Sequence, residues 1–160
     1  MKNKNIHEMM RSAQSLIAYN SDLVARFGIT LNQYSVLKAI HLWHGSEPCR
    51  QKDISRMTGI DRSSMSVIVN RLSASRVPFI EINRQAIDRR ADDLSLTQRG
   101  YEVIIEAIEY MAEQDKELCS ALGADSTQFL AVLKTLDSMA CASRAERMAR
   151  TTEDVVEAVT

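Results

Sequence analysis

The chain has 160 residues, 45% hydrophobic and 26% charged, with 5 Gly and 2 Pro, a balance that excludes global disorder and allows a packed core in one domain with extensions. No apolar run approaches the ~20 residues that span a bilayer, and no apolar signal core follows Met1-Lys2-Asn3-Lys4-Asn5, so a cytoplasmic location is expected. The net charge of −1 hides an asymmetry: residues 46–100 carry 10 basic and 7 acidic side chains, residues 101–160 carry 5 and 12, so the middle can offer a local basic face to a polyanion.

The first segment, about Ile6 to Arg26, places Met9, Ala13, Leu16, Ile17, Leu23 and Val24 at helical spacing. Phe27-Gly28 ends it, with Gly28 suited to the left-handed position after a helix. Thr30 precedes a second periodic run, Leu31, Tyr34, Leu37, Ile40 and His41, and Gln33 three residues on completes a capping box. This helix is expected to fade by His44-Gly45. The loop Gly45-Ser46-Glu47-Pro48 leads to "RQKDISRMTGI", a short amphipathic helix with Ile54 and Met57 inward and a stop at Thr58-Gly59.

Asp61 caps the next helix, "RSSMSVIVNRLSAS", which turns Met65, Ile68, Val69 and Leu72 to one face. Arg62, Ser63, Ser66, Asn70 and Arg71 fall on or near the other. Two short helices joined by a tight turn containing Gly are a helix-turn-helix signal. A major groove about 12 Å wide admits one helix. Small residues such as Ser63, Ser64 and Ser66 let the backbone approach, and Arg62, Asn70 and Arg71 can reach base edges or phosphates. Taken alone, this segment fits an ordinary surface helix of an all-α bundle equally well.

Val77-Pro78 is expected to break the helix, since Pro disfavours helical geometry in the residue before it. Phe79-Ile80-Glu81-Ile82 reads as a strand, Asn83 to Arg90 as a polar loop, and Asp93-Leu94-Ser95-Leu96 as the returning strand. A hairpin directly after a helix-turn-helix is a wing. Its charged knot, Asp88-Arg89-Arg90, then lies at or near the tip, where an Arg can enter a narrow minor groove. Asp88 is read as pairing with Arg90 or Arg89 to shape the tip.

Thr97 caps a long helix, "QRGYEVIIEAIEYMAEQDKELCSAL", striped by Tyr101, Ile104, Ile108, Met111 and Leu118 and widened by Ile105 and Ala112. Ala124-Asp125-Ser126 opens another, with Phe129, Leu130, Val132, Leu133, Leu136, Met139 and Ala140. The middle of the chain is too small to cover these stripes and that of the first helix. A second copy of the chain would cover them in a symmetric dimer. Residues 1–28 and 98–150 are thus expected to form a helical dimerisation region, 29–97 a winged helix-turn-helix DNA-binding lobe, and 151–160 a tail. The fold class is mainly α with a small β-hairpin.

"LNQYSVLKAI", "KDISRMTGIDRSSMSVIVNRL" and "DRRADDLSLTQRG", in this order of elements, resemble the MarR family of bacterial transcription regulators. The resemblance covers roughly Gly28 to Gly100 by motif and the rest by helix layout. It implies a dimer built on the terminal helices, each winged lobe reading half of a pseudo-palindromic operator in double-stranded DNA. It further implies a recognition helix from Asp61 to Ser75 and a wing in which Arg90, partnered by Asp88, lies nearest the minor groove; Arg84 and Arg89 of the wing are further candidate contacts by their charge. Many members are repressors released by small aromatic or phenolic anions bound in a crevice between the dimer helices and the lobe. Three departures stand out, one of them a stretch from Leu72 to Asp88 that is longer than usual. Ser73-Ala74-Ser75-Arg76-Val77-Pro78 replaces the usual Glu and Gly after the recognition helix, and Phe79-Ile80-Glu81-Ile82 lacks the usual basic residues of the first wing strand.

A crevice of that kind could be lined by Arg11, Leu16 and Tyr19 from the first helix and Tyr34, Leu37, His41 and Trp43 from the second; apolar walls with a few polar groups suit such a pocket. Packing of Trp43 between lobes is the other reading of that residue. His41, His44 and Cys49 are metal-ligand types, but a His pair at i, i+3 lacks a tetrahedral set, and no metal or cofactor is expected. Cys49, Cys119 and Cys141, odd in number and widely spaced, do not build a disulfide framework and read as reduced thiols. A redox- or metal-sensing regulator on the same scaffold, and a winged module that binds protein in place of DNA, remain the alternatives. No Gly-rich phosphate loop, nucleophile elbow or spaced catalytic set is present, so an enzyme is not expected.

Overall fold

The computed structural model describes residues 4–44, 48–84 and 92–139. Five helices and one hairpin follow one another: α1 (Lys4–Ala25), α2 (Leu31–His41), α3 (Gln51–Thr58), α4 (Arg62–Ser73), β1 (Ile80–Arg84), β2 (Asp92–Leu96) and α5 (Gln98–Leu122). A single 3-10 turn, Gly123–Asp125, leads into a sixth helix, α6, over 126–139. The chain divides into two compact units, 1–112 and 113–160. Among the described residues no helix is long and apolar enough to cross a membrane.

The helix boundaries follow local chemistry. Gly28 takes φ +72° and closes α1. Thr30 and Gln33 make a reciprocal capping box at α2: the Thr30 hydroxyl accepts from the Gln33 N–H at 3.3 Å, and the Gln33 side-chain oxygen accepts from the Thr30 N–H at 2.8 Å. Gly59, at φ +69°, ends α3 in the left-handed conformation.

In the first unit α2 is the hub. It packs on α1, α3, α4 and β2, while α4 also packs on β1. Its Val36 and Leu37 are fully buried, with Ile54 of α3, Val69 and Leu72 of α4, and Ile104 of α5. The hairpin is antiparallel, with Ile80 opposite Leu96 and Ile82 opposite Leu94. Period-two alternation puts these four apolar residues on one face, where Ile80 and Leu94 are buried. Glu81, Asn83, Asp93 and Ser95 take the other face, where the Asn83 amide donates to the Ser95 hydroxyl at 3.3 Å.

Several expectations change. Met57 is 50% exposed. In the two-turn helix α3 the inward sector is that of Gln51, Ile54, Ser55 and Thr58, and Met57 falls beside it. α4 stops at Ser73, short of the Pro78 break, because residues 74–79 fold into a turn of their own. In that turn the Ser75 hydroxyl donates to the Val77 carbonyl at 2.6 Å, and the Phe79 N–H returns to the Leu72 carbonyl at 3.0 Å. On α5 Tyr101 is half exposed, and Val103, absent from the expected stripe, is buried with Ile104 and Ala107.

In the second unit, the Lys116 ammonium pairs with Glu113 one turn away at 3.1 Å. Leu130, Val132, Leu133, Leu136 and Met139 of α6 are all exposed.

Candidate nucleic-acid interface

The first turn of α4 is built around Asp61. Its carboxylate accepts from the Ser64 N–H at 3.0 Å and from the Ser63 hydroxyl. These two donors hold the carboxyl far below the usual range, the Ser63 hydroxyl first. The carboxylate thus satisfies a free N–H group of the helix start, that of Ser64. Ser63 and Ser64, read from the sequence as small groups facing DNA, thus have a first task inside the cap. Ser66 is half buried toward α3: its hydroxyl donates to the Arg62 carbonyl at 3.2 Å and lies 3.4 Å from the Gln51 side-chain oxygen.

The outward face of α4 remains. Met65, Ile68, Val69 and Leu72 are buried and point at α2, α3 and β1. Opposite them Arg62, Ser63, Val67, Asn70 and Arg71 are exposed. The face is narrow, polar and basic, with one apolar residue, Val67, that the sequence reading passed over. The signal was present: Val67 lies off the apolar stripe and four residues from both Ser63 and Arg71.

The wing stands directly after this helix, and its base is tightly sewn. Thr97 at the exit of β2 donates from its hydroxyl to the Pro78 carbonyl at 2.7 Å, donates from its backbone to the Phe79 carbonyl at 3.1 Å, and accepts from the Gly100 N–H at 3.0 Å. One residue thereby ties the start of the wing to the start of α5. The backbone of Arg84 ends β1 opposite Asp92. Asp88, Arg89 and Arg90 lie outside the described residues.

The loop before α3 is joined to β2 as well. The Cys49 N–H donates to the Asp93 carboxylate at 2.8 Å, and the Leu94 N–H donates to the Cys49 carbonyl at 2.9 Å. Burial, then the nearby charges of Asp93 and Asp53, push the Cys49 thiol up to about 11. A thiol so placed stays protonated and is a poor nucleophile. Cys119 is a free thiol, half buried; Cys141 lies outside the described residues. Among the described residues no three His, Cys, Asp or Glu side chains gather to hold a metal ion.

Beside this junction opens a cleft of about 700 Å³ lined by Ile40, His41, Trp43, Pro48, Cys49, Tyr101 and residues 93–96. The His41 and Tyr101 rings meet in it, centroids 5.7 Å apart. Of the residues expected to line a pocket, the structure brings His41 and Trp43 together here. Tyr34 and Leu37 do not line it: they are 7% and 0% exposed, sealed in the core because α2 is covered on several sides. Arg11 and Tyr19 are exposed on α1 and Leu16 is half buried there. Tyr101 and the β2 wall belong to the cleft and were missed, since α2 and the β2–α5 corner are some 50 residues apart in sequence and meet only on folding.

Residues 27–77 match the MarR family model. No curated protein matches the chain in sequence. Solved structures share the fold. A MarR/EmrR family transcriptional regulator from Acinetobacter sp. ADP1 superposes with a TM-score of 0.69 at 22% identity, over 88% of this chain and 98% of that one. BpsR of Bordetella bronchiseptica, whose DNA binding is regulated by 6-hydroxynicotinic acid, gives 0.68 at 21%, over 84% and 96%. The M. tuberculosis transcriptional regulator MOSR, in complex with DNA, gives 0.68 at 19%, over 87% and 97%. The chain has the winged-helix fold of MarR-family regulators, and residues 27–77 match their family model.

Proposed function

We propose that this MarR-type chain is a dimeric, sequence-specific DNA-binding regulator, a repressor released when a small aromatic or phenolic effector binds. The observation that carries the reading is the outward face of α4: capped, exposed, basic at Arg62 and Arg71, and followed at once by a hairpin wing. A helix of that face is the shape a major groove accepts. Arg62 and Arg71 would supply phosphate or base contacts, Asn70 a bidentate amide, and Ser63, Ser64 and Ser66 the close approach. Arg84, Arg89 and Arg90 would reach backbone and minor groove from the wing, shaped by Asp88. DNA bound to MOSR and the ligand regulation of BpsR support both halves of the reading by analogy of fold.

Dimerisation rests on leftover apolar surface. On α1 Met9, Met10 and Ile17 are 54–58% exposed, and on α6 Leu130, Val132, Leu133, Leu136 and Met139 are exposed too. A second copy that covers these faces would set residues 1–28 and 98–150 as the dimerisation region and hold two lobes about 34 Å apart, the spacing of successive major grooves.

The effector would enter the cleft between Trp43, His41 and Tyr101. That site abuts the Cys49–Asp93 junction, so an occupant there would shift the wing against α3 and spoil the half-site spacing. The raised Cys49 thiol speaks against thiol sensing at this position.

The test is a mobility shift of purified protein on random duplex over a salt series. Binding at low salt that weakens linearly in log–log form is expected, since counterions are released at each phosphate contact. A chain that leaves duplex unshifted at 50 mM salt or below, or that sediments as a monomer at micromolar concentration, overturns the proposal.

A further inference from the structure

We infer that Val67 reads the C5-methyl group of a thymine and is a specificity-determining residue of the interface; the inference rests on the DNA-binding role proposed above. α4 carries five large apolar residues. Four of them, Met65, Ile68, Val69 and Leu72, are at most 9% exposed. Val67 is 50% exposed and lies almost diametrically opposite Val69 on the helix. Its neighbours one turn away are Ser63 before it and Asn70 and Arg71 after it, all exposed. The apolar group therefore sits at the centre of the polar face, half open to solvent and outside the hydrophobic core of the lobe.

The chemistry of that position selects its partner. A valine side chain is short and branched, so it touches only what lies directly beneath the helix. Ser63, small and exposed, precedes it by one turn and lets the backbone come down close there. The edge of the major groove offers one apolar group, the methyl of thymine; the rest are hydrogen-bond donors and acceptors. Over a cytosine the same position carries only the C5–H, so the contact between methyl groups is lost. Asn70 and Arg71 hold the polar valences that read the flanking base pairs, and Val67 marks the thymine between them.

The experiment first selects a preferred operator from a random duplex pool with the full-length protein, then replaces each thymine in turn by deoxyuridine, which removes only the methyl. One thymine in each half-site is expected to lose about fourfold in affinity on replacement, the worth of one buried methyl. Val67→Ala is expected to bind the thymine operator about fourfold more weakly per half-site, and to bind thymine and uracil duplexes alike. Val67→Thr, which keeps the shape and replaces one methyl by hydroxyl, is expected to fall between. Both side chains are exposed on a helix held by other residues, and unchanged thermal unfolding will confirm it. Tight operator binding with no methyl dependence, or full thymine–uracil discrimination kept in Val67→Ala, overturns the role of Val67 alone. Failure to select or bind any duplex overturns the DNA-binding reading and this inference with it.

Discussion

Gly100 lies so close beneath Phe79 that a methyl group on its Cα would stand 1.9 Å from the Phe79 carbonyl oxygen. That carbonyl cannot swing away freely, because the Thr97 N–H holds it at 3.1 Å. The first turn of α5 therefore touches the wing base backbone to backbone, and only glycine fits between.

Gly100→Ala is expected to destabilise the fold by about 1–3 kcal/mol, the range for overpacking a tight site. Alanine favours helices over glycine, so propensity alone predicts the opposite sign. Urea unfolding of the two proteins decides between them; an alanine variant with a midpoint equal to or above that of the parent shows that the close approach is not a constraint.

Thr97→Ala removes the hydroxyl that caps Gly100 and holds Pro78. A loss of about 1–2 kcal/mol is expected from the cap and the second hydrogen bond. Thr97→Ser retains both oxygen contacts and is expected to recover most of that loss. Equal unfolding midpoints for the serine and alanine variants count against a hydrogen-bonding role.

Asp61 has a carboxyl held far below the ordinary range by the Ser63 hydroxyl and the Ser64 N–H. A depressed folded value means that its stabilisation is fully present above the unfolded carboxyl pKa of about 4 and is lost as pH falls through the folded value. Asp61→Ala is thus expected to be less stable than the parent at pH 7, with the gap closing under acid conditions. A gap of constant size from pH 7 down to the acid transition contradicts the charged cap.

The Cys49 thiol, raised to about 11, is expected to resist iodoacetamide at pH 8 while the half-buried Cys119 is alkylated. Its raised value favours the folded state below the usual thiol range, and that advantage is lost as pH rises through about 11. Site-resolved mass spectrometry of labelled protein reads the order directly. Labelling of Cys49 as fast as Cys119 in the native protein removes the argument against thiol sensing there.

Arg62→Ala and Arg71→Ala are expected to weaken operator binding, each lowering the log–log salt slope by about 0.9 where a phosphate contact is lost. A variant that weakens binding with the slope intact identifies a base-reading arginine, and unchanged affinity in both variants removes α4 from the interface.

The elements whose signals are local were legible from the residues. The capping box at Thr30 and Gln33, the left-handed Gly28, the stop at Gly59, the Asp61 cap and both ends of α5 are each decided within a few residues. The buried stripe of α4 was equally plain, because helical period alone puts Met65, Ile68, Val69 and Leu72 together. The end of α4 was placed too late: a Pro marks where a helix must have stopped, whereas the Ser75–Val77 turn had already ended it.

The residues by themselves determined the order of the described elements, the caps of α2, α4 and α5, and the apolar side of α4, since these depend on spacing and on neighbours within one turn. Tertiary structure decided which apolar sides meet. It sealed Tyr34 and Leu37 inside while leaving Tyr101 open beside His41, and it joined Cys49 to Asp93 across 44 residues. Periodicity fixes a direction around one helix axis, but burial is set by helix crossing and by what stands on the far side, which no local pattern records.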